Sequence, residues 1–289
     1  MTMQRFVLGL LLLCGCSGEL SSDRDVGAAS VGGDAAAANG GRSGVETNAG
    51  GASTSGSGGA HQSTGGFGSG APGPFVGPAK IACVGDSVTE QQLSWIHPFQ
   101  EELEAAGCGN FELIGYDGSP YNGAYTAPTG LQKKRIAAGG FSTRGILNWI
   151  ESKDGNLGGT PDLWIQFLGI NNEYGGFIDG TYNPNVSADP EGSYKEDTEK
   201  FVTMVRAKNP KARIILVKAH NHMLLDMEIA IDQLVASLST TDSPVITVDS
   251  VTAVSTVDNT HPDGAGAEKL AQHISAKAAD ALRALGACD

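Results

Sequence analysis

The sequence predicts an α/β domain in which a parallel sheet of about five strands carries helices on both faces. Three observations lead there. Short apolar runs alternate with amphipathic stretches of helical length. The run Arg213-Ile214-Ile215-Leu216-Val217 shows no polar alternation, as expected of a strand covered on both faces. The segments richest in reactive side chains follow such runs, at the edge where open α/β sheets place their sites.

The elements follow in order. Residues 80–84 read as a buried first strand, and 98–106 as a helix with Pro98 in its first turn and Gly107 at its stop. Residues 111–115 read as the next strand, followed by a long loop rich in Gly, Tyr and Pro. Residues 144–152 read as a short helix and 163–168 as a third strand, with Trp164 in the core. Residues 194–209 read as a helix ended by Asn209-Pro210. Residues 213–217 make the fourth strand, 227–238 a helix, 245–248 the fifth strand, and 264–285 a long alanine-rich closing helix.

The chain before this domain reads differently. Arg5 precedes the apolar run Phe6-Val7-Leu8-Gly9-Leu10-Leu11-Leu12-Leu13, too short for a mature membrane span and suited to the core of an export signal. Leu13-Cys14-Gly15-Cys16 resembles a bacterial lipobox, with Cys14 an unusual residue inside it. The resemblance implies a lipid-bearing Cys16 at the mature N-terminus and a membrane anchor; an ordinary secretory signal cleaved nearby is the alternative. Residues 17–77 are dominated by Gly, Ser, Ala and Thr and read as a flexible tether, since so little apolar surface cannot offset the entropy of ordering. The expected organisation is therefore a signal at 1–16, a linker at 17–77 and one domain at 78–289.

Charge and cysteines narrow the function. The formal net charge is −13, with 32 acidic against 19 basic residues, which argues against a nucleic-acid partner. The one basic cluster, Lys133-Lys134-Arg135, reads as a solvated loop. Cys83 lies in a strand-like run and reads as a small buried hydrophobe. Cys108 and Cys288 flank glycine-containing helix ends and are the preferred disulfide pair, although the sequence does not decide whether they bond. No cysteine or histidine spacing suggests zinc, and nothing in the chain calls for a cofactor.

The chemistry gathers in four segments. Gly85-Asp86-Ser87 follows the first strand, so the turn displays a serine. A serine hydroxyl needs a base and fixed donors for the oxyanion it generates. His261 is the best base in the chain, and Asp258, three residues earlier in the same loop, is placed to orient it. The candidate oxyanion donors are the Ser87 N–H, the Gly140 N–H in Ala138-Gly139-Gly140-Phe141, and the Asn171 side chain in Gly169-Ile170-Asn171-Asn172.

These four segments, in this order, resemble the SGNH (GDSL-type) hydrolase superfamily, and the resemblance covers the domain from Lys80 onward. It implies a flavodoxin-like three-layer fold and an esterase mechanism, with Ser87 as nucleophile, His261 as base and then acid, and Asp258 orienting it. Ser87, Gly140 and Asn171 would form the oxyanion hole. Where the family usually has Gly-x-Asn-Asp, Asn172 replaces the Asp, at a position that supports the loop. The absence of Gly-x-Ser-x-Gly around Ser87 speaks against the α/β-hydrolase pattern. The Gly-Asp-Ser-Val-Thr block, the Gly-Gly-aromatic block, the tryptophan soon after it and the short His-Pro loop resemble the carbohydrate-esterase branch, which implies an acetylated polysaccharide as partner.

Trp95, Trp149, Tyr121, Tyr125 and Tyr174 are candidates for stacking on sugar. Asn172, Trp149, Tyr174 and His220 are the substrate-contacting set, with His220-Asn221-His222 expected to line the cleft. A lipolytic or aryl esterase, a lysophospholipase, a thioesterase and a silent carbohydrate-binding module are the rival readings. The sequence leaves the oligomeric state open.

Overall fold

A computed structural model of the chain describes residues 75–177, 182–183 and 189–288. The signal and lipobox readings of residues 1–16, Cys14 and Cys16 included, and the linker reading as far as residue 74 lie outside the described residues.

The chain enters the sheet along β1 (Ala79–Gly85) and turns at once into α1 (Ser87–Glu90), a single turn capped by Asp86, whose side chain accepts the Val88 N–H. Helix α2 (Ile96–Ala105) starts two residues before the predicted Pro98. This costs nothing, because a first-turn N–H has no intrahelical acceptor for proline to forfeit. Strand β2 (Phe111–Ile114) pairs in parallel with the first half of β1. The chain then leaves the sheet as a small hairpin, β3 (Gly118–Ser119) and β4 (Gly123–Ala124), and returns as β5 (Ile136–Ala137). Strand β5 pairs Ile136 with Val84 and Ala137 with Gly85, so it lies beside the end of β1 that carries Ser87.

Helix α3 (Thr143–Glu151), strand β6 (Leu163–Phe167), the turn α4 (Ile170–Glu173), and the short pair β7 (Gly176–Phe177) and β8 (Tyr182–Asn183) come next. Helix α5 (Pro190–Lys208) begins four residues before the predicted Tyr194, because Asp189 caps it by accepting the Gly192 N–H and Pro190 opens it. Strand β9 (Arg213–Val217), a 3-10 turn (His220–His222), helix α6 (Leu225–Leu238), strand β10 (Val245–Val248) and helix α7 (Gly264–Arg283) complete the order.

The main sheet runs β10-β9-β6-β1-β2, all parallel, with β5 added beside β1. Helices α2 and α7 pack together, as do α5 with α6 and α3 with α5. This is the predicted α/β/α arrangement, with the doubly wound 2-1-3-4-5 strand order. The order reverses between β1 and β6, and ligand sites in such sheets form outside the strand ends at that crevice. Ser87 follows β1 and Asn171 follows β6, on its two sides.

The strands bury apolar side chains on both faces. Ile81, Cys83, Trp164, Ile165, Ile214 and Leu216 are fully buried, which agrees with the readings of Trp164 and Cys83. Gln166, a polar residue inside β6, is satisfied by donating to Thr198 Oγ1 at 2.8 Å. Cys108 and Cys288 form a disulfide that ties the end of α2 to the segment after α7. The reading of Lys133-Lys134-Arg135 as solvated needs correction at Arg135, which is buried. Its guanidinium lies 4.3 Å from the centre of the Tyr125 ring and donates to the Glu90 carbonyl at 3.0 Å. Among the described residues no helix is long and apolar enough to cross a membrane.

Candidate active site

Three side chains from two distant segments form a hydrogen-bonded series. His261 Nε2 lies 2.8 Å from Ser87 Oγ, and His261 Nδ1 lies 2.6 Å from Asp258 Oδ2. The second carboxylate oxygen of Asp258 accepts the backbone N–H groups of His261 at 2.7 Å and Thr260 at 3.0 Å. The loop is closed by its own backbone, where Val257 N–H donates to the His261 carbonyl at 2.9 Å. Partial burial works to raise the Asp258 carboxyl. The hydrogen bonds from the His261 ring and from the His261 and Thr260 backbone, together with the His261 charge, outweigh it and hold the group below the ordinary carboxylate range. An ionised Asp258 fixes the proton on Nδ1 and leaves Nε2 as the acceptor for the Ser87 hydroxyl.

The donors come from three elements. The Ser87 N–H opens α1 and so has no intrahelical acceptor. Gly140 sits in the left-handed region at φ 77°, where an added Cβ would also fall 2.9 Å from the Phe177 ring. The Phe177 N–H donates to the Gly140 carbonyl at 2.8 Å, which sets the turn against β7. Asn171 Nδ2 donates to the Phe141 carbonyl at 3.1 Å; an amide nitrogen carries two hydrogens, so one remains for a ligand. A Cβ built on Gly176 would lie 2.7 Å from the Gly140 oxygen and 2.9 Å from Asn171 Cβ, and one on Gly139 would lie 3.6 Å from Ser87 Cβ. These contacts join the second and third segments to the nucleophile turn.

Buried carboxylates that the sequence reading passed over brace the site. Asp197 on α5, fully buried, accepts from Thr143 Oγ1 at 3.0 Å and Arg144 Nε at 2.6 Å, fastening the start of α3 just beyond Gly140. Glu90 accepts the Gly139 N–H at 2.6 Å and Asn122 Nδ2 at 2.8 Å. Asp86 is 1% exposed, and burial, with the Glu90 charge adding to it, pushes its carboxyl up to about 7 against the Val88 hydrogen bond and the His261 charge. Local spacing offered one hint, since Asp86 and Glu90 both lie in the nucleophile segment.

The substrate-contacting set fares unevenly. Asn172 is buried; its amide donates to Thr143 Oγ1 at 2.8 Å and its oxygen accepts the Thr143 N–H at 3.0 Å, so it supports the loop and presents nothing to a ligand. Trp149 packs on Tyr116, with ring centres 4.6 Å apart, against the core. His220 is fully buried, edge-on to Phe167, and does not line an open cleft. Burial holds its imidazole below the ordinary histidine range, with the His261 charge acting the same way. The Thr260 backbone faces it without hydrogen-bond geometry, and neither ring nitrogen has a partner among the described residues. Of the stacking candidates, Trp95 and Tyr125 are buried, whereas Tyr121 and Tyr174 are 52% and 59% exposed. Among the described residues no group of three His, Cys, Asp or Glu side chains is placed to hold a metal ion.

No family model and no curated protein sequence matches the chain. Solved structures do. A mutant acetyl esterase with an acetate ion superposes with a TM-score of 0.55 at 20% identity, covering 71% of this chain and 98% of the other. A carbohydrate esterase family 3 protein from Talaromyces cellulolyticus gives a TM-score of 0.55 at 21% identity over the same shares. At these identities the likeness is one of fold.

Proposed function

We propose that this protein is an exported serine esterase that removes acetyl groups from carbohydrate. The observation that carries the reading is the hydrogen-bonded series Asp258–His261–Ser87, with spacings of 2.6 and 2.8 Å. Ser87 Oγ attacks the acetyl carbonyl and gives its proton to His261 Nε2. The Ser87 N–H, the Gly140 N–H and the free Asn171 N–H hold the oxyanion, the type of contact worth about 10²–10³ in rate for a single donor. Collapse of the tetrahedral adduct breaks the ester bond, and Nε2 returns the proton to the departing sugar oxygen. Water then attacks the acetyl-serine, its proton passing through Nε2 to Ser87 Oγ as acetate leaves.

Carbohydrate is favoured by the polar approach at Tyr121-Asn122-Gly123, by the open rings of Tyr121 and Tyr174, and by fold neighbours named as an acetyl esterase and a carbohydrate esterase. The signal-like N-terminus and the Gly/Ser-rich segment behind it fit an enzyme held at the cell envelope through lipid on Cys16, working on a polymer too large to import.

Acetate release from acetylated xylan and acetylated pectin fragments, compared with hydrolysis of medium-chain acyl esters, tests the substrate. Release from the acetylated polymers, lost in Ser87→Ala, is the expected result. Preference for the acyl chains would move the reading to a lipolytic enzyme, and turnover surviving in a clean Ser87→Ala preparation would refute the mechanism. The Cys16→Ser variant should leave the membrane fraction, and a variant that stays there argues against the lipid anchor.

A further inference from the structure

We infer that Glu90 is a positioning residue of this site, clamping the Gly139-Gly140 turn and the tip of the β3–β4 hairpin to the helical turn that carries Ser87. Glu90 lies three residues beyond Ser87 on α1 and is 8% exposed. One carboxylate oxygen, Oε2, accepts both the Gly139 N–H at 2.6 Å and Asn122 Nδ2 at 2.8 Å; the other, Oε1, is buried without a partner among the described residues. Arg135 Nη2 donates to the Glu90 carbonyl at 3.0 Å, so the backbone that bears the carboxylate is itself held.

The arrangement accounts for three features. Position 139 is glycine because a Cβ there would sit 2.6 Å from the same Glu90 oxygen. With the Gly139 N–H committed to a charged acceptor, the next amide, Gly140 N–H, is the donor left for a ligand beside Ser87. Asn122, drawn down by the same oxygen, leaves its neighbour Tyr121 at the rim, with ring centres 5.4 Å from Phe141 and 5.5 Å from Phe177 and its outer surface open. Hydrogen bonds to a carboxylate are roughly twice as strong as neutral ones, and a donor misplaced by about 1 Å can lose roughly 10²-fold in rate. One carboxylate therefore sets both the donor that receives the oxyanion and the aromatic that meets the substrate ring. The consequence for rate rests on the esterase reading; the clamp does not.

The test combines amide hydrogen exchange with kinetics on the full chain. In Glu90→Ala the Gly139 amide and those of the β3–β4 hairpin should exchange faster while sheet amides keep their protection. The kcat for p-nitrophenyl acetate should fall about 10²-fold with little change in KM. For an acetylated xylo-oligosaccharide KM should rise as well. Glu90→Gln retains an oxygen acceptor and should recover most of the exchange protection and kcat. Gly139→Ala, whose methyl displaces the carboxylate, should reproduce the loss even if Glu90→Ala fails to fold. Unchanged Gly139 exchange in Glu90→Ala overturns the clamp, whereas wild-type kcat despite faster exchange, or a Glu90→Gln variant as slow as Glu90→Ala, overturns its role in positioning the site. If the wild-type protein hydrolyses neither ester, it is the esterase reading that has failed, and the exchange arm still decides the clamp.

Discussion

Asp86 allows the most quantitative check on the electrostatics around Ser87. Its Oδ1 accepts the Val88 N–H at 3.1 Å, while Oδ2 is buried with no partner among the described residues. Burial raises the carboxyl from 3.8 to about 7. Between these values the folded protein holds a proton that the unfolded chain has released, so stability falls as pH rises from about 4 to 7. At 1.36 kcal/mol per pKa unit the full difference approaches about 4 kcal/mol, present as a penalty above pH 7 and absent below pH 4. Asp86→Asn keeps an oxygen to cap α1 and removes the titration. Urea unfolding at pH 5 and pH 8.5 should show a wild-type loss of a few kcal/mol across that range, and a variant curve flatter by most of that amount. At pH 8.5 the variant should be the more stable protein. Equal slopes in the two proteins would refute the reasoning and mean that the carboxyl is hydrated or paired in solution.

Asn171→Ala removes the side-chain donor together with its anchor to the Phe141 carbonyl; kcat for p-nitrophenyl acetate should drop by about 10²–10³, and an unchanged rate removes Asn171 from the oxyanion hole. Replacing Cys108 and Cys288 together by serine opens a link across 180 residues of sequence, so the unfolding free energy should fall by about 2–5 kcal/mol; urea midpoints unaffected by the double change would show that α2–α7 packing holds that end of the molecule alone.

The legibility of this chain depends on how local each signal is. Strands β9 and β10 have the bounds read from sequence, because their runs are mostly apolar and follow Asn209-Pro210 and Ser243-Pro244. Helix α5 was read from its first periodic apolar residue, Tyr194, although Asp189-Pro190 carried the start signal four residues earlier. Strands β3, β4 and β5 have two residues each, too few for any period; only their pairing partners define them. Arg135 was read as solvated because its partners, the Tyr125 face and the Glu90 carbonyl, lie 10 and 45 residues away in sequence. The structure brings Ser87, Asp258 and His261 together, and each stands out in the sequence because it sits in a short motif at a strand end or before the last helix. His220 was drawn toward the cleft by the same logic, but a strand end fixes only where the backbone emerges, and its ring turns inward against Phe167.

Under the proposed esterase mechanism a chain of net charge −13 has to stabilise an oxyanion, and the placement of its carboxylates bears on how. The carboxylates near the site are committed. Asp258 accepts from the histidine, Glu90 from Gly139 and Asn122, and Asp197 from Thr143 and Arg144. Each of them holds a donor or the backbone beside one. Asp86 accepts the Val88 N–H through one oxygen, its other oxygen, like Glu90 Oε1, is buried without a partner among the described residues, and its neighbour in sequence is Ser87. An ionised carboxylate there would oppose charge developing on the substrate oxygen, and in a buried setting that opposition is screened little. Raising its carboxyl to about 7 leaves Asp86 largely neutral through mildly acidic pH. At pH below about 7 burial thus removes the Asp86 charge beside Ser87, which favours the oxyanion donors that the proposed mechanism assigns to Ser87, Gly140 and Asn171.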